Sequence, residues 1–286
     1  MSTGRKVLGL VAGSGDLPPL VAAGARAQGF TVATVGLMGE TGPELRALSD
    51  TFCEVKIGQV GGMVRQLKQA GATCCVMVGG FSKRELLGRA MPDLTALKLV
   101  ARLGRQLRDD RLMRGVAELV EKAGIPVQPV PPFIPDHMAV DGAMTVREPT
   151  PDELADITYG MRVAHTVGAL DVGQSVVVRR GSVLAVEATE GTDACIRRGA
   201  ELGRAGKAAG RGGVVLCKVV KPNQDLRLDL PAVGPRTVET CAECGVAVVA
   251  VESRRTILVD RPKTVRLAND RKVGLYGVSV ERADGA

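Results

Sequence analysis

Residues 6–12, Lys-Val-Leu-Gly-Leu-Val-Ala, form an almost continuous apolar run that breaks at Gly13-Ser14-Gly15. The run shows no polar alternation, so it reads as a strand buried on both faces and leading into a helix. The pattern recurs along the first half. A helix from Leu20 to Gln28, stopped by Gly29, precedes a strand at Thr31–Gly36. A short helix at 43–50, a strand at 52–57 and a helix at Gly61–Ala70 come next, and Cys74–Val78 is a third buried strand ending at Gly79-Gly80. Helical stretches at about 93–103 and 109–123 and a strand at Ile125–Pro129 close the series. This alternation predicts a doubly wound, Rossmann-like α/β domain over residues 1–130.

Prolines 126, 129, 131, 132, 135, 149 and 151 punctuate the middle of the chain, so residues 131–150 read as an ordered linker. Residues 151–286 read as a second α/β domain with mixed strand order. It opens with a helix started by Thr150-Pro151-Asp-Glu, and Arg180-Gly181 is the turn of a hairpin. Asp193 to Ala205 is helical, Gly213–Val220 a strand, Pro235–Cys244 a helix and Val246–Glu252 a strand. Arg255–Val259 would pair with that last strand, and Pro262–Asp270 and Gly274–Val280 would be a final helix and strand.

With no Trp, two Tyr and four Phe, the cores have to be aliphatic. The same scarcity argues against single-stranded nucleic-acid binding, which relies on stacking platforms. The net charge of +7 is scattered and favours anionic partners only weakly. No apolar stretch reaches the roughly 20 residues of a membrane span, and the short run after Lys6 is no signal peptide. A cytoplasmic protein with free thiols is the expectation for the seven Cys. Cys241-Ala-Glu-Cys244 lacks the second ligand pair that zinc needs, and reads as part of a helix. Two His residues, His137 and His165, leave almost no material for a His-based metal site or a Ser-His-Asp triad.

Two polar strings stand at the ends of apolar runs in the second half. Glu190-Gly191-Thr192-Asp193 comes after Ser182–Glu187, and Lys218-Val-Val-Lys221-Pro-Asn-Gln-Asp225-Leu-Arg227 comes after Gly213–Cys217. Mg²⁺ takes carboxylate oxygens while Lys and Arg neutralise phosphoryl charge, so this mixture suits a site for phosphate and a divalent metal. Asp225 lies on a loop leaving a strand, where α/β folds place ligand chemistry. Each residue also has a structural reading: Thr192 or Asp193 as a helix cap, Asp225 as a loop carboxylate paired to Arg227. Gly13, Ser14 and Gly15 at the first strand-to-helix turn, and Gly79 at the same sheet edge, could turn backbone amides toward a phosphate. Pro18 stands where the dinucleotide fingerprint has its third glycine, which argues against NAD.

Taken together, Leu-Val-Ala-Gly-Ser-Gly-Asp-Leu-Pro at the N-terminus, Gly168-Ala-Leu-Asp-Val-Gly-Gln-Ser175, Ala188-Thr-Glu-Gly-Thr-Asp193 and Val219-Val-Lys-Pro-Asn-Gln-Asp225-Leu-Arg-Leu-Asp-Leu-Pro-Ala-Val-Gly-Pro235 give a chain that resembles the LpxI-type UDP-2,3-diacylglucosamine diphosphatases of lipid A biosynthesis. The resemblance spans nearly the whole chain. It implies hydrolysis of the pyrophosphate of UDP-2,3-diacylglucosamine to UMP and 2,3-diacylglucosamine 1-phosphate (lipid X), with water attacking the sugar-side phosphorus. It also implies a divalent cation, Mg²⁺ or another such as Mn²⁺, and two α/β domains with the active site between them.

The family's essential aspartate, in its Lys-Pro-x-Gln-Asp string, matches Asp225. Around it, the expected catalytic residues are Asp225, Asp193 and Lys221, and the expected metal ligands are Asp225, Asp193 and Glu190. Gly13, Ser14, Gly15, Gly79, Thr192, Lys218 and Arg227 are expected to contact substrate. The acyl chains would lie in a cleft partly lined by Phe133, Ile134 and Met138. The substrate is a lipid-linked UDP-sugar, so a peripheral place on the inner face of the inner membrane is expected. No nucleic acid is, and a homodimer is compatible with the reading. The competing readings are a non-catalytic nucleotide- or sugar-phosphate-binding module and a UDP-sugar transferase. Turnover to UMP separates all three.

Overall fold

The computed structural model describes residues 6–80, 91–104, 109–205 and 213–279. The chain divides into two compact units. The first comprises Met1–Pro135 together with Asp225–Asp229, and the second comprises Asp136–Gln224 and Leu230–Ala286.

In the first unit β1 (Val7–Ala12), β2 (Thr31–Leu37), β3 (Thr51–Val55) and β4 (Cys74–Val78) form a parallel sheet in the order β3-β2-β1-β4. Between and after them run α1 (Leu17–Ala27), α2 (Pro43–Ala47), α3 (Val60–Gln69), α4 (Leu94–Leu103) and α5 (Asp109–Lys122). β1 is buried at every position, as its uninterrupted apolar sequence requires of a central strand. One face of the sheet packs Val11, Val35 and Met77 against Met63 and Leu67 of α3, Leu99 of α4 and Val116 and Val120 of α5. The strand expected at Ile125–Pro129 is reduced to one bridge, Cys75 to Val127. Cys75 N–H donates to the Pro126 carbonyl and Gln128 N–H donates to that of Cys75. Pro126 and Pro129 bring no N–H, so the ladder cannot extend.

Residues 131–150 are packed structure. Two short 3₁₀ turns, Pro131–Phe133 and Pro135–His137, lead the chain on. Phe133 and Ile134 are buried, with the Phe133 ring edge-on to Phe30 at 5.6 Å in the first unit. Ala139 belongs to the core of the second unit, and β5 (Gly142–Ala143) joins its sheet.

That sheet has the order β5-β12-β10-β8-β6-β7. Its members are β6 (Ser175–Arg179), β7 (Ser182–Val186), β8 (Val214–Lys218), β10 (Val246–Glu252) and β12 (Gly274–Val278); the expected end of the last strand, Val280, lies outside the described residues. β8, β10 and β12 are parallel, while β5, β6 and β7 pair antiparallel with their neighbours. The helices are α6 (Pro151–Ala169), α7 (Thr192–Ala205), α8 (Pro235–Cys244) and α9 (Arg261–Asp270).

The Arg180-Gly181 turn takes positive φ at both residues, 51° and 70°, as a tight hairpin with right-handed twist needs. Its two amides donate to the Asp156 carboxylate at 2.7 and 2.6 Å. The segment expected to pair with β10 does not. β11 (Ile257–Leu258) pairs with β9 (Ala232–Val233) instead. Arg254 adopts φ 59°, which turns the chain off the sheet, and the Ile257 N–H then reaches the Pro231 carbonyl.

Candidate functional site

Lys218 ends β8 and is 7% exposed. Its ammonium donates to Thr192 Oγ1 at 3.1 Å, and the Thr192 hydroxyl donates to Glu187 Oε1 at 2.8 Å. The β6–β8 register sets Ser175 beside Lys218, with its hydroxyl 3.5 Å from Thr192 Oγ1. A buried ammonium persists only with polar partners, and this group supplies them. Glu187 is also buried, and its Oε2 has no hydrogen-bond partner among the described residues; the same is true of Gln174 Oε1. Sequence reasoning missed Glu187 and Ser175. Their signal was a polar residue at each end of an apolar run, beside the turn that carries Thr192.

The other residues of the 190–193 turn face outward to arginines. Asp193 pairs with Arg236 at 2.9 Å, and Glu190 with Arg198 at 2.5 Å. Its own backbone amide first, then Arg198 and the Ala188 amide, hold the Glu190 carboxyl below the usual range. Lys221 donates to Asp171 at 3.0 Å, and its backbone amide to Gln224 Oε1. His165 Nε2 lies 3.2 Å from buried Glu252, and His137 Nδ1 lies 3.3 Å from the Leu258 carbonyl. The Cys241 and Cys244 thiols are free and buried in the second core, where desolvation pushes the Cys241 thiol well up.

Asp225 and Arg227 stand apart from these, because the five residues Asp225–Asp229 go with the first unit. Leu228 packs into that unit's aliphatic cluster. Both Asp225 oxygens are held by Arg227: Nη2 to Oδ2 at 2.8 Å, Nε to Oδ1 at 3.0 Å and the backbone amide to Oδ1 at 3.1 Å. Arg227 Nη1 also reaches Glu121 of α5 at 2.6 Å. The Arg227 hydrogen bond is the main reason that the Asp225 carboxyl lies below the usual carboxylate range, with Arg114 of α5 adding to it.

The glycine turn after β1 is committed to the protein itself. Gly13 N–H donates to the Val78 carbonyl, while Ser14 N–H and Oγ both donate to the Gly80 carbonyl. A Cβ on Gly13 would meet Gly80 O at 2.2 Å, so glycine here serves the close approach of two loops. Gly15 (φ 101°) is open. Beside this turn, at the carboxyl ends of the four strands, lies an apolar cavity of about 300 Å³ that includes Gly13 and Gly79 in its wall.

Of the expected site residues, Thr192 and Lys218 meet directly, Gly13, Ser14 and Gly79 meet one another, and Asp225 meets Arg227. Glu190 and Asp193 belong to the second unit and Asp225 to the first, and each faces an arginine. Among the described residues no three His, Cys, Asp or Glu side chains form a group that could hold a metal.

Residues 7–137 match the LpxI N-terminal domain and residues 140–276 the LpxI C-terminal domain. The chain is 36% identical over 278 residues to the UDP-2,3-diacylglucosamine pyrophosphatase LpxI of Caulobacter vibrioides, covering 96% of this chain and 97% of that protein. Among solved structures, the biotin carboxylase domain of Hydrogenobacter thermophilus 2-oxoglutarate carboxylase is 14% identical, with a TM-score of 0.28 over 61% of this chain and 35% of that one. The N5-carboxyaminoimidazole ribonucleotide synthetase of Thermotoga maritima is 13% identical, with a TM-score of 0.27 over 73% and 45%. This chain thus spans less than half the length of either structure, and likenesses this loose carry no argument about fold or activity.

Proposed function

The chain belongs to the LpxI family, and from that premise we propose that it hydrolyses the pyrophosphate of UDP-2,3-diacylglucosamine, releasing UMP and 2,3-diacylglucosamine 1-phosphate. The observation that carries the proposal to particular residues is the Asp225–Arg227 pair. A carboxylate and a guanidinium in bidentate contact are a base and a phosphate ligand stored against each other. Arg227 can exchange the Asp225 carboxylate for a phosphoryl oxygen of the substrate, since both present oxygens that a guanidinium binds through two parallel N–H groups. Asp225 is then free to take the proton of the attacking water. The water oxygen bonds to the sugar-side phosphorus, the bridging P–O bond breaks, and UMP leaves with that bridging oxygen.

Lys218 and Lys221, with the Thr192 hydroxyl, would offset charge on the phosphoryl oxygens. The buried, hydrogen-bonded Lys218 ammonium supports this role, because its geometry is fixed before substrate arrives. Asp193, with Glu190, would orient the water. The Gly13–Gly15 turn and Gly79 would take a minor part, since most of the turn's donors are occupied. A divalent cation, Mg²⁺ or Mn²⁺, is part of the proposal on the strength of the family resemblance, as is a peripheral place at the inner membrane surface.

The test is hydrolysis of UDP-2,3-diacylglucosamine in ¹⁸O-water with Mg²⁺ and with EDTA, both products being read by mass spectrometry. UMP and label in the diacylglucosamine phosphate, lost with EDTA, are expected. Label in UMP would overturn the attacked phosphorus, and activity untouched by EDTA would remove the metal. No UMP under either condition would leave a binding module.

A further inference from the structure

A row of polar residues crosses three strands of the second unit at the carboxyl end of β8. The β6–β8 register sets Ser175 beside Lys218, and on the other side of Ser175 the N–H of Glu187, one residue past β7, donates to the Ser175 carbonyl at 2.8 Å. Neighbouring strands lie about 4.8 Å apart, so Glu187 and Lys218 stand two spacings from each other with a small residue between them. Thr192, at the start of α7, enters beside that serine and joins the two ends. The chain of bonds has one direction. A carboxylate only accepts, so the single Thr192 hydroxyl proton goes to Glu187, and the Thr192 oxygen is left as an acceptor for the Lys218 ammonium. Thr192 thus serves a phosphate through Lys218.

The fold by itself has little reason to keep a charge at 187. Glu187 is buried, and its Oε2 has no hydrogen-bond partner among the described residues. A buried carboxylate with one oxygen unsatisfied costs stability, and packing alone would favour a neutral side chain of the same size. What the carboxylate does supply is a negative charge at one end of a hydrogen-bonded chain whose other end is a buried ammonium. Its backbone is also held firmly: a Cβ on Gly173 would collide with the Glu187 carbonyl oxygen, so glycine lets the turn before β6 close onto this residue. A lysine needs such help, because its flexible four-carbon stem does not orient the charge that it carries.

We propose that Glu187 is a positioning residue for hydrolysis: acting through Thr192, it holds the Lys218 ammonium in place for the phosphoryl oxygens of the substrate. This role rests on the hydrolase reading above. Glu187→Gln keeps the shape and an oxygen that accepts the Thr192 proton, but removes the charge. It should lower kcat about tenfold with little change in KM, as displacement of a group that acts on the transition state does. Lys218→Met should cost about 10²–10³-fold in kcat, the range for loss of one donor to developing charge. In the Lys218→Met background Glu187→Gln should cost nothing more, because the group that it positions is gone.

A second readout is independent of turnover. In ¹H–¹⁵N spectra of the lysine Nζ groups, a buried and hydrogen-bonded ammonium exchanges its protons slowly enough to be seen, and Lys218→Met assigns its signal. That signal should be present in the unsubstituted enzyme and broaden beyond detection in Glu187→Gln, while the backbone amide signals of β8 stay in place and show that the variant is folded. A tenfold loss repeated in the Lys218→Met background would overturn the route through Lys218. An ammonium signal that Glu187→Gln leaves unchanged, or one already missing without substitution, would overturn the positioning. No UMP from the unsubstituted enzyme, with the ammonium signal still lost on Glu187→Gln, would overturn the hydrolase reading and leave Glu187 as the residue that orders Lys218.

Discussion

Asp225 and Arg227 are two residues apart on one turn, and their contact has a measurable signature in pH. Arg227 holds the Asp225 carboxyl below its ordinary range, so the ionised base persists as pH falls. The acid limb of kcat/KM, which reports the free enzyme, should lie below about 3.9, the ordinary value for Asp. Arg227→Ala should move that limb up toward the ordinary value and reduce kcat/KM at neutral pH as well, and Arg227→Lys should restore part of the rate but not the limb. A limb that stays in place without the guanidinium would separate the pair from catalysis. Asp225→Asn should cost about 10²–10⁴-fold in kcat, the range of a positioned general base, with a fall in melting temperature from the lost Arg227 ion pair too small to account for it. At this scale the sequence was only partly legible. Asp225, Thr192 and Lys218 were visible as polar residues at strand ends, but the Glu187 and Ser175 partners of Thr192, and the Glu252 partner of His165, come from sheet register and packing that no local pattern encodes.

Elements were more legible where one physical rule sufficed. Glycine-ended aliphatic runs became β1 and β4, and Arg180-Gly181 became the hairpin turn. The Ile125–Pro129 run failed because proline withdraws donors, and β11 failed because a positive φ at Arg254 sent it to another partner. The start of α6 was visible as Thr150-Pro151-Asp-Glu, but not its depth. Glu153 is 1% exposed and completes a capping box with Thr150. Burial pushes its carboxyl up, yet Arg147 at 2.7 Å and the amides of Thr150 and Gly213 outweigh this and hold it below the usual range. A carboxyl lowered on folding adds stability that is full above its unfolded value of about 4.3 and is lost as pH falls through the folded one. Glu153→Ala should therefore cost about 2–4 kcal/mol in denaturant unfolding at neutral pH, and the deficit should shrink in acid. A deficit independent of pH would assign the loss to packing alone.

The whole molecule has a division that the sequence order conceals. The chain divides into two units, but Asp225–Asp229 leaves the second and goes with the first, and nothing in its composition announces the transfer. Leu228 anchors it in the aliphatic cluster, so Leu228→Ala should lower stability by about 1–2 kcal/mol, less than a fully buried leucine. It should also lower kcat through loss of the Asp225 position, and an effect on stability with kcat intact would show that the anchor and the base are independent. The cavity was invisible in the sequence for a related reason, since its wall is assembled from several separate stretches between Val11 and Val116. The excursion of 225–229 also bears on how such a protein can be inherited. A recombination that exchanged the chain at the boundary near residue 136 would import a new first unit while keeping the old aspartate, arginine and leucine that must fit it. Only partners already matched at α5 would yield a working hybrid, so the two halves of the gene are expected to travel together.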